Sequence, residues 1–169
     1  AARLSLEAPV ARQYESPLFY EGWACYAETL LMSEGYLTSQ ADYLVYWQRR
    51  LWRALRGLAD LELHRGRWDL DQGLDCLHRA GYPEATARLQ VLHLTLNPGY
   101  QLCYTLGLKE MLRLRDLFTA RLGPVRFHEI VLGAGQLPFA LVEQRLAVAL
   151  AKQELGRHGR SQAGAWERE

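Results

Sequence analysis

The sequence predicts an all-α fold of about six to seven helices, and three observations support this class. Leucine occurs 32 times against 7 valines and 1 isoleucine, so the apolar content favours helices over strands. Turn signals divide the chain into helix-length segments, and none alternates apolar and polar residues as a strand does. The 169 residues are enough for one domain, predicted over residues 1–155 and followed by a polar, loose tail over 156–169.

The first two helices have clear boundary signals. Pro17 suits the first turn of a helix, and Gly35 suits the left-handed cap that ends it. Ser39, with Asp42 three residues later, resembles a capping box and predicts a long helix ending near His64. Four basic residues of this helix are predicted to form a solvated face: Arg49, Arg50, Arg53 and Arg56.

Five further segments complete the predicted set of helices. Asp69 with Gln72 is a second capping signal, for a short helix that stops at Gly81. Pro83, the Asn97-Pro98-Gly99 break, Gly123-Pro124 and Pro138 then separate the remaining segments. These predicted helices cover residues 83–95, 100–122, 126–132 and 138–155.

Charge and composition exclude several functional classes. The 20 basic and 19 acidic residues leave a net charge of +1, which argues against a nucleic-acid binder. No apolar run approaches the roughly 18 residues of a membrane-spanning helix, and no signal-peptide pattern is visible. Three dispersed cysteines form neither a disulfide framework nor a zinc motif. They slightly favour the cytoplasm, although an unseen N-terminal part leaves localisation open.

Residues 21–28, which read E-G-W-A-C-Y-A-E, carry the strongest chemical signal. Glu21 and Glu28 lie within about 20° of one helix face but about 10.5 Å apart along the axis. A zinc–carboxylate bond is about 2 Å long, so at most one of the two glutamates can bind a given ion. Gly22 costs about 1 kcal/mol relative to alanine in a helix, which suits a close approach of another backbone or of a bound group. The alternative is two solvated acids and a packing glycine.

The same segment resembles the E-G-W-A-x-Y-x-E signature of the bacterial "domain of unknown function 885" family, whose members are similar to helical zinc metallopeptidases. Further matches follow in order and extend the resemblance over about residues 15–145. They are Asp60-Leu61-Glu62-Leu63-His64, Trp68, Asn97-Pro98-Gly99, Tyr104, Gly107, Leu114-Arg115, Phe127-His128 and Gly135-Gln136-Leu137-Pro138.

The resemblance implies that Glu21 is the third zinc ligand of a gluzincin-like site. In the family, a zinc motif of His-Glu followed by Pro-Gly-His precedes E-G-W-A, and this chain has no such motif. Its one His-Glu pair, at His128, has no second histidine at the required spacing. We therefore expect the C-terminal part of a larger helical domain, inactive by itself and without tightly bound zinc. Its N-terminal part would supply the remaining ligands and the general base.

Four other residues are candidates for the site. Glu28 is assigned to the surroundings of the metal ligand. Tyr104 would donate a hydrogen bond to a developing oxyanion, or else is a bonded core residue. His64 would bind substrate or the transition state, or else suits the negative end of its helix. Arg115 would bind a substrate carboxylate, although a pair with a neighbouring acid is favoured.

Two functions of different class follow. In the first, the chain is part of a zinc-dependent hydrolase, acting as a peptidase on a peptide-like substrate. In the second, it is a non-catalytic helical module that acts through an interaction surface. A chain cut from a larger helical domain leaves the faces that met the missing helices uncovered, so we also expect exposed apolar surface and self-association, with the aromatic stretch from Tyr14 to Trp23 as the contact.

Overall fold

The computed structural model describes the backbone of residues 15–166 and the side chains of residues 15–156. This part of the chain contains seven helices and no strand, which confirms the all-α class. The helices are α1 (Pro17–Ser33), α2 (Gln40–His64), α3 (Leu70–Arg79), α4 (Glu84–Leu96), α5 (Leu102–Leu122), α6 (Pro124–Gly133) and α7 (Phe139–Trp166).

The predicted helix boundaries are set by local chemistry. Ser39 accepts a hydrogen bond from the Asp42 amide, and Asp42 accepts one from the Ser39 amide, so this capping box is confirmed. Asp69 and Gln72 form the second box in the same way at the start of α3. Gly35, after α1, has a φ of 76°, the left-handed conformation that glycine adopts without strain.

The last helix is longer than predicted. Helix α7 continues to Trp166, whereas the sequence predicted an end near Leu155 and a loose tail beyond it. The predicted end rested on the loss of apolar period after that leucine. The segment contains no proline, however, and its glycines weaken a helix by only about 1 kcal/mol each relative to alanine. Residues 167–169 lie outside the described residues.

The chain divides into two compact units, of which the first is Pro17–Met111. Within it, α2, α3 and α4 pack on one another. One buried cluster combines Ala59, Cys76 and Leu94, and a second centres on Leu77 and Ala87. These clusters fix α2 as a scaffold, so that side chains along its length are presented to α1 and to the loop before α5.

The second unit comprises Leu112–Glu169 together with Ala1–Ser16. Helices α6 and α7 pack together here, and Phe127, Val131, Val142 and Leu146 are fully buried. An ion pair between Arg113 and Glu143 joins the middle of α5 to α7 and lowers the pKa of the glutamate. None of the helices in the described part of the chain is both long and apolar enough to cross a membrane.

The aromatic stretch predicted to self-associate is only partly open to solvent. Phe19 is 5% exposed and Tyr20 is 36% exposed, while Tyr14 lies outside the described residues. A larger exposed apolar surface lies on α2 instead. Four of its side chains fall within an arc of about 60° around the helix axis and are 41–69% exposed: Leu44, Trp47, Leu51 and Leu58.

Candidate functional site

Glu21 lies one turn into α1, and its carboxylate is half-buried. Tyr100 donates a hydrogen bond of 2.5 Å from its hydroxyl to Oε1 of this carboxylate. Within residues 15–156, no Lys, Arg or His side chain forms an ion pair with Glu21. Among residues 15–156, the carboxylate is therefore held by neutral donors, and no cation of this part of the chain compensates its charge.

Tyr100 is fixed by the loop that joins α4 to α5. Asp60, which is 0% exposed, accepts a hydrogen bond of 2.8 Å from the Gly99 amide and one of 2.9 Å from the Gln101 amide. The two amides flank Tyr100 and belong to a turn in which Gly99 has a φ of 80°. A buried carboxylate needs such donors. Asp60 thus ties α2 to the turn that carries the tyrosine bonded to Glu21.

His64 completes the environment of Asp60. Its Nδ1 lies 2.9 Å from Oδ1 of Asp60 and 2.8 Å from the Asp60 backbone oxygen, one helical turn earlier. The imidazole is 31% exposed and is the last residue of α2. The structure therefore gives His64 a local partner, and its predicted contact with substrate stays a prediction.

Tyr104 lies one turn after Tyr100 on α5, with the two ring centroids 6.1 Å apart. Burial, and then a hydrogen bond to Glu21, raise the pKa of its phenol. The hydrogen bond to Glu21 likewise raises the pKa of Tyr100 well above its ordinary value. Both phenols are thus neutral donors at physiological pH. Tyr104 and Tyr100 thus both hold the Glu21 carboxylate. The sequence predicted that Tyr104 is either an oxyanion donor or a core residue, and this third role was not among the predictions.

Glu28 has a cationic partner, unlike Glu21. Arg53 of α2 donates two hydrogen bonds to the Glu28 carboxylate, of 2.5 and 2.8 Å. The Arg53 guanidinium also lies 5.8 Å from the centroid of the Tyr104 ring. Glu28 can therefore influence the Glu21 site only indirectly, through Arg53 and Tyr104.

The prediction of a solvated arginine face on α2 is wrong for most of its members. Arg53 is paired with Glu28. Arg56 bonds to Gln90 and lies 5.4 Å from the centroid of the Tyr104 ring. Arg50 bonds to two hydroxyls, and only Arg49 has the predicted exposure. The reason lies in the tertiary structure. Helices α1, α4 and α5 contribute contacts along the side of α2 that helix periodicity alone assigns to solvent.

A second backbone comes close to Gly22. The low helix propensity of glycine had suggested such a contact at this position. A Cβ atom placed on Gly22 would lie 2.4 Å from the carbonyl carbon of Gly107 in α5. The close approach brings the start of α1 against α5, so that Glu21 meets both tyrosines. Packing therefore explains the glycine, but the accompanying idea of two solvated glutamates is wrong.

Arg115 lies in the second unit. Its Nε and Nη2 donate hydrogen bonds of 3.0 and 2.8 Å to Oδ1 of Asp116, the next residue. This is the pair with a neighbouring acid that the sequence analysis favoured. Nothing in the described part of the second unit assigns a ligand to Arg115, and its predicted role in binding a substrate carboxylate stays a prediction.

The donor set of the described residues is too small for a complete metal site. No three His, Cys, Asp or Glu side chains of this part of the chain converge as ligands of one ion. A catalytic zinc site takes three protein ligands and leaves one position for water or substrate. Glu21 fits as one such ligand, and the other ligands would have to come from outside the described residues.

Sequence reasoning missed two contributors to this site: Asp60 and Tyr100. The Asp60–His64 spacing of four residues was a usable signal, because side chains at i and i+4 meet on a helix. Tyr100 carries no comparable local signal, because its partner Glu21 lies 79 residues away in the sequence.

In the described part of the chain, the fold is all-helical, and the site is a carboxylate that two phenols hold and that has no cationic partner there. The chain belongs to the family described as "Bacterial protein of unknown function (DUF885)", whose profile matches residues 2–146. The family expected from the E-G-W-A segment is thus confirmed. No curated protein matches the chain.

A solved structure has a similar fold. It is the crystal structure of a protein described as "the putative lipoprotein from Colwellia psychrerythraea", which is 30% identical to this chain with a TM-score of 0.72. The alignment covers 80% of this chain and 24% of that one. The chain thus spans about a quarter of the length of this relative.

Proposed function

We propose that the chain is the C-terminal part of a zinc-dependent hydrolase of the peptidase class, in which Glu21 is a metal ligand. The observation that carries this proposal is the environment of the Glu21 carboxylate. It is half-buried, bonded by phenols and without a cationic partner among residues 15–156. Partial removal of a carboxylate from water is costly without a counter-charge, so this site is suited to a cation.

Zinc is the proposed cation because of the resemblance of residues 21–28 to a gluzincin-like segment. When bound, zinc polarises a carbonyl group and makes its bound water more acidic. Two further ligands and the general base are proposed to come from an N-terminal part of the same protein. The solved relative, of which this chain covers 24%, is long enough to hold such a part.

The chain's own residues are proposed to orient the ligand and to form one wall of the cleft. Tyr100 and Tyr104 hold the Glu21 carboxylate through hydrogen bonds and thereby fix its rotamer. Asp60 and His64 hold the turn that carries Tyr100. Residues that orient a metal ligand commonly cost 10–100-fold in affinity or activity when they are removed. The proposed substrate is peptide-like.

The test uses the complete protein and measures zinc content as well as peptide hydrolysis. Glu21→Gln keeps the size of the side chain but removes its charge, so zinc and activity should be lost together. Glu28→Gln should leave zinc bound and reduce the rate by about 10–100-fold. Tyr104→Phe should keep zinc and lower kcat by about 10²–10³ if the hydroxyl also reaches the transition state.

Glu15→Gln is the matched control, since Glu15 is exposed, and it should change neither zinc content nor rate. Full zinc content and full rate in Glu21→Gln would contradict the assignment of the ligand. The 169-residue chain by itself should retain no stoichiometric zinc after dialysis. Retention of zinc by this chain would contradict the division of the site between two parts of the protein.

The second candidate function is a helical interaction module without catalysis. The exposed apolar residues of α2, with Leu44 69% exposed and Trp47 55% exposed, support this alternative. In the hydrolase, the N-terminal part would cover the end of this surface around Leu44. The two functions differ in the complete protein, because a module would lack both stoichiometric zinc and hydrolytic activity.

A further inference from the structure

A cavity of about 320 Å³ lies beside the Glu21 site, within the first unit. Its apolar wall includes Trp47 and Leu51 of α2 and Leu108 of α5. Its polar wall includes Arg50, Arg53, Glu28 and Tyr104. This volume is at the lower end of the range for small-molecule sites, and such sites usually combine an apolar lining with few polar groups.

Arg50 is the unusual member of this lining. Its Nη1 donates hydrogen bonds of 3.1 Å to the Tyr46 hydroxyl and 3.3 Å to the Thr29 hydroxyl. Its guanidinium carbon lies 5.6 Å from the Tyr46 ring centroid and 5.8 Å from that of Trp47. Ring contacts of this kind hold a cation in place. No carboxylate among residues 15–156 forms an ion pair with Arg50.

The other charges of the cavity cancel. Arg53 and Glu28 neutralise each other through two hydrogen bonds. Burial raises the pKa values of the Cys25 thiol and the Tyr104 phenol, so both groups are neutral at physiological pH. The lining therefore carries one uncompensated positive charge, on a guanidinium whose orientation is already fixed. A guanidinium in this state binds a carboxylate with little loss of conformational entropy.

We propose that this cavity binds the carboxylate of a small apolar molecule, such as an N-acylated leucine or the C-terminal residue of a peptide. Arg50 binds the carboxylate, and Trp47, Leu51 and Leu108 contact the apolar side chain. Tyr104 borders both this cavity and the Glu21 carboxylate. The interpretation of this cavity as a substrate subsite rests on the proposed function. In that role, the cavity would direct hydrolysis to the C-terminal end of a peptide.

The test measures binding of N-acetyl-L-leucine to the 169-residue chain by the change in tryptophan fluorescence and by calorimetry. A Kd of about 1–10 mM is expected for a ligand of this size. N-acetyl-L-leucinamide, which has the same shape without the charge, should bind about 10–100-fold more weakly. Arg50→Gln should weaken binding of the acid by a similar factor and leave that of the amide unchanged.

Arg49→Gln is the matched control, because Arg49 is the preceding residue of α2 and does not line this cavity. It should bind N-acetyl-L-leucine as the natural chain does. Equal binding of acid and amide by the natural chain would overturn the proposal without any variant, as would the absence of binding at 50-fold the expected Kd. An equal loss in Arg49→Gln would also overturn it. Because no metal takes part in this measurement, failure of the zinc proposal would leave its result unchanged.

Discussion

The contact between Gly22 and Gly107 permits a sharp prediction, because it joins two helix backbones. A Cβ atom on Gly22 would lie 2.4 Å from the carbonyl carbon of Gly107 and 2.5 Å from its Cα. A Cβ atom on Gly107 would lie 2.1 Å from the Leu18 carbonyl oxygen. Neither obstruction is a side chain that can rotate away. An alanine at either position must therefore move α1 relative to α5.

The size of the effect follows from these distances. Ordinary van der Waals contact begins at 3.4 Å, so the 2.4 Å contact at Gly22 requires a separation of about 1.0 Å. Overpacking lowers the free energy of unfolding by about 1–3 kcal/mol, and we expect a value near the upper end because backbone atoms cannot rotate away. Alanine recovers about 1 kcal/mol in helix propensity. Gly22→Ala should thus lower the free energy of unfolding by about 2 kcal/mol, or Tm by about 4–8 °C.

Urea and thermal unfolding of the 169-residue chain check this value. Gly156→Ala in α7 is the control, because a Cβ atom there meets nothing within 4 Å, and it should stabilise by about 0.5–1 kcal/mol. The double variant Gly22→Ala/Gly107→Ala should cost less than the sum of the two single variants, since the first alanine already separates the helices. If Gly22→Ala stabilises as much as the control does, the close approach of α1 and α5 is refuted.

Three further predictions concern the surroundings of the site and the surface of α2. Asp60→Ala leaves two loop amides without their acceptor. In urea unfolding it should therefore lower the free energy of unfolding by about 2–5 kcal/mol. The control Asp116→Ala, at an exposed position, should change the same quantity by less than about 0.5 kcal/mol. Because the folded state raises the pKa of Tyr100 above its usual 10.0, the stability from this group is complete below about pH 10 and is lost as pH rises further. The decline in Tm between pH 9 and 11 should therefore be shallower in Tyr100→Phe, and an unchanged slope would contradict this assignment. Sedimentation should show concentration-dependent self-association that Leu44→Lys weakens, while a similar response to Leu155→Lys would place the contact elsewhere.

Helix positions could be predicted well because their signals are local. The pairs Ser39–Asp42 and Asp69–Gln72 form the expected capping boxes within three residues of sequence. Gly35 adopts the left-handed conformation because glycine has no Cβ atom that would make a positive φ costly, and this property belongs to the residue itself. The end of α7 was less certain, since a polar segment without breaking residues has no local feature that decides between helix and coil.

The partners of the α2 arginines could not be predicted from local signals. Their spacing places them on the helix surface but does not say which part of that surface another element covers. Arg53 meets Glu28, 25 residues earlier, and Arg56 meets Gln90, 34 residues later. These contacts depend on the packing of α1 and α4 against α2. A charged residue on a helix is solvated by default, and only tertiary packing overrides this expectation.

The two glutamates of α1 also differ in a way that only tertiary contacts determine. Helix geometry puts Glu21 and Glu28 on one face and shows that they cannot share an ion, but it treats them alike. The difference comes from their neighbours: Arg53 neutralises Glu28, whereas Tyr100 and Tyr104 bond Glu21 without neutralising it. A phenol stabilises a carboxylate by donating a hydrogen bond, and the carboxylate keeps its negative charge. Of the two acids that helix geometry treats alike, Glu21 is the one without a cationic partner among residues 15–156, and this difference is the reason why we propose it as the metal ligand.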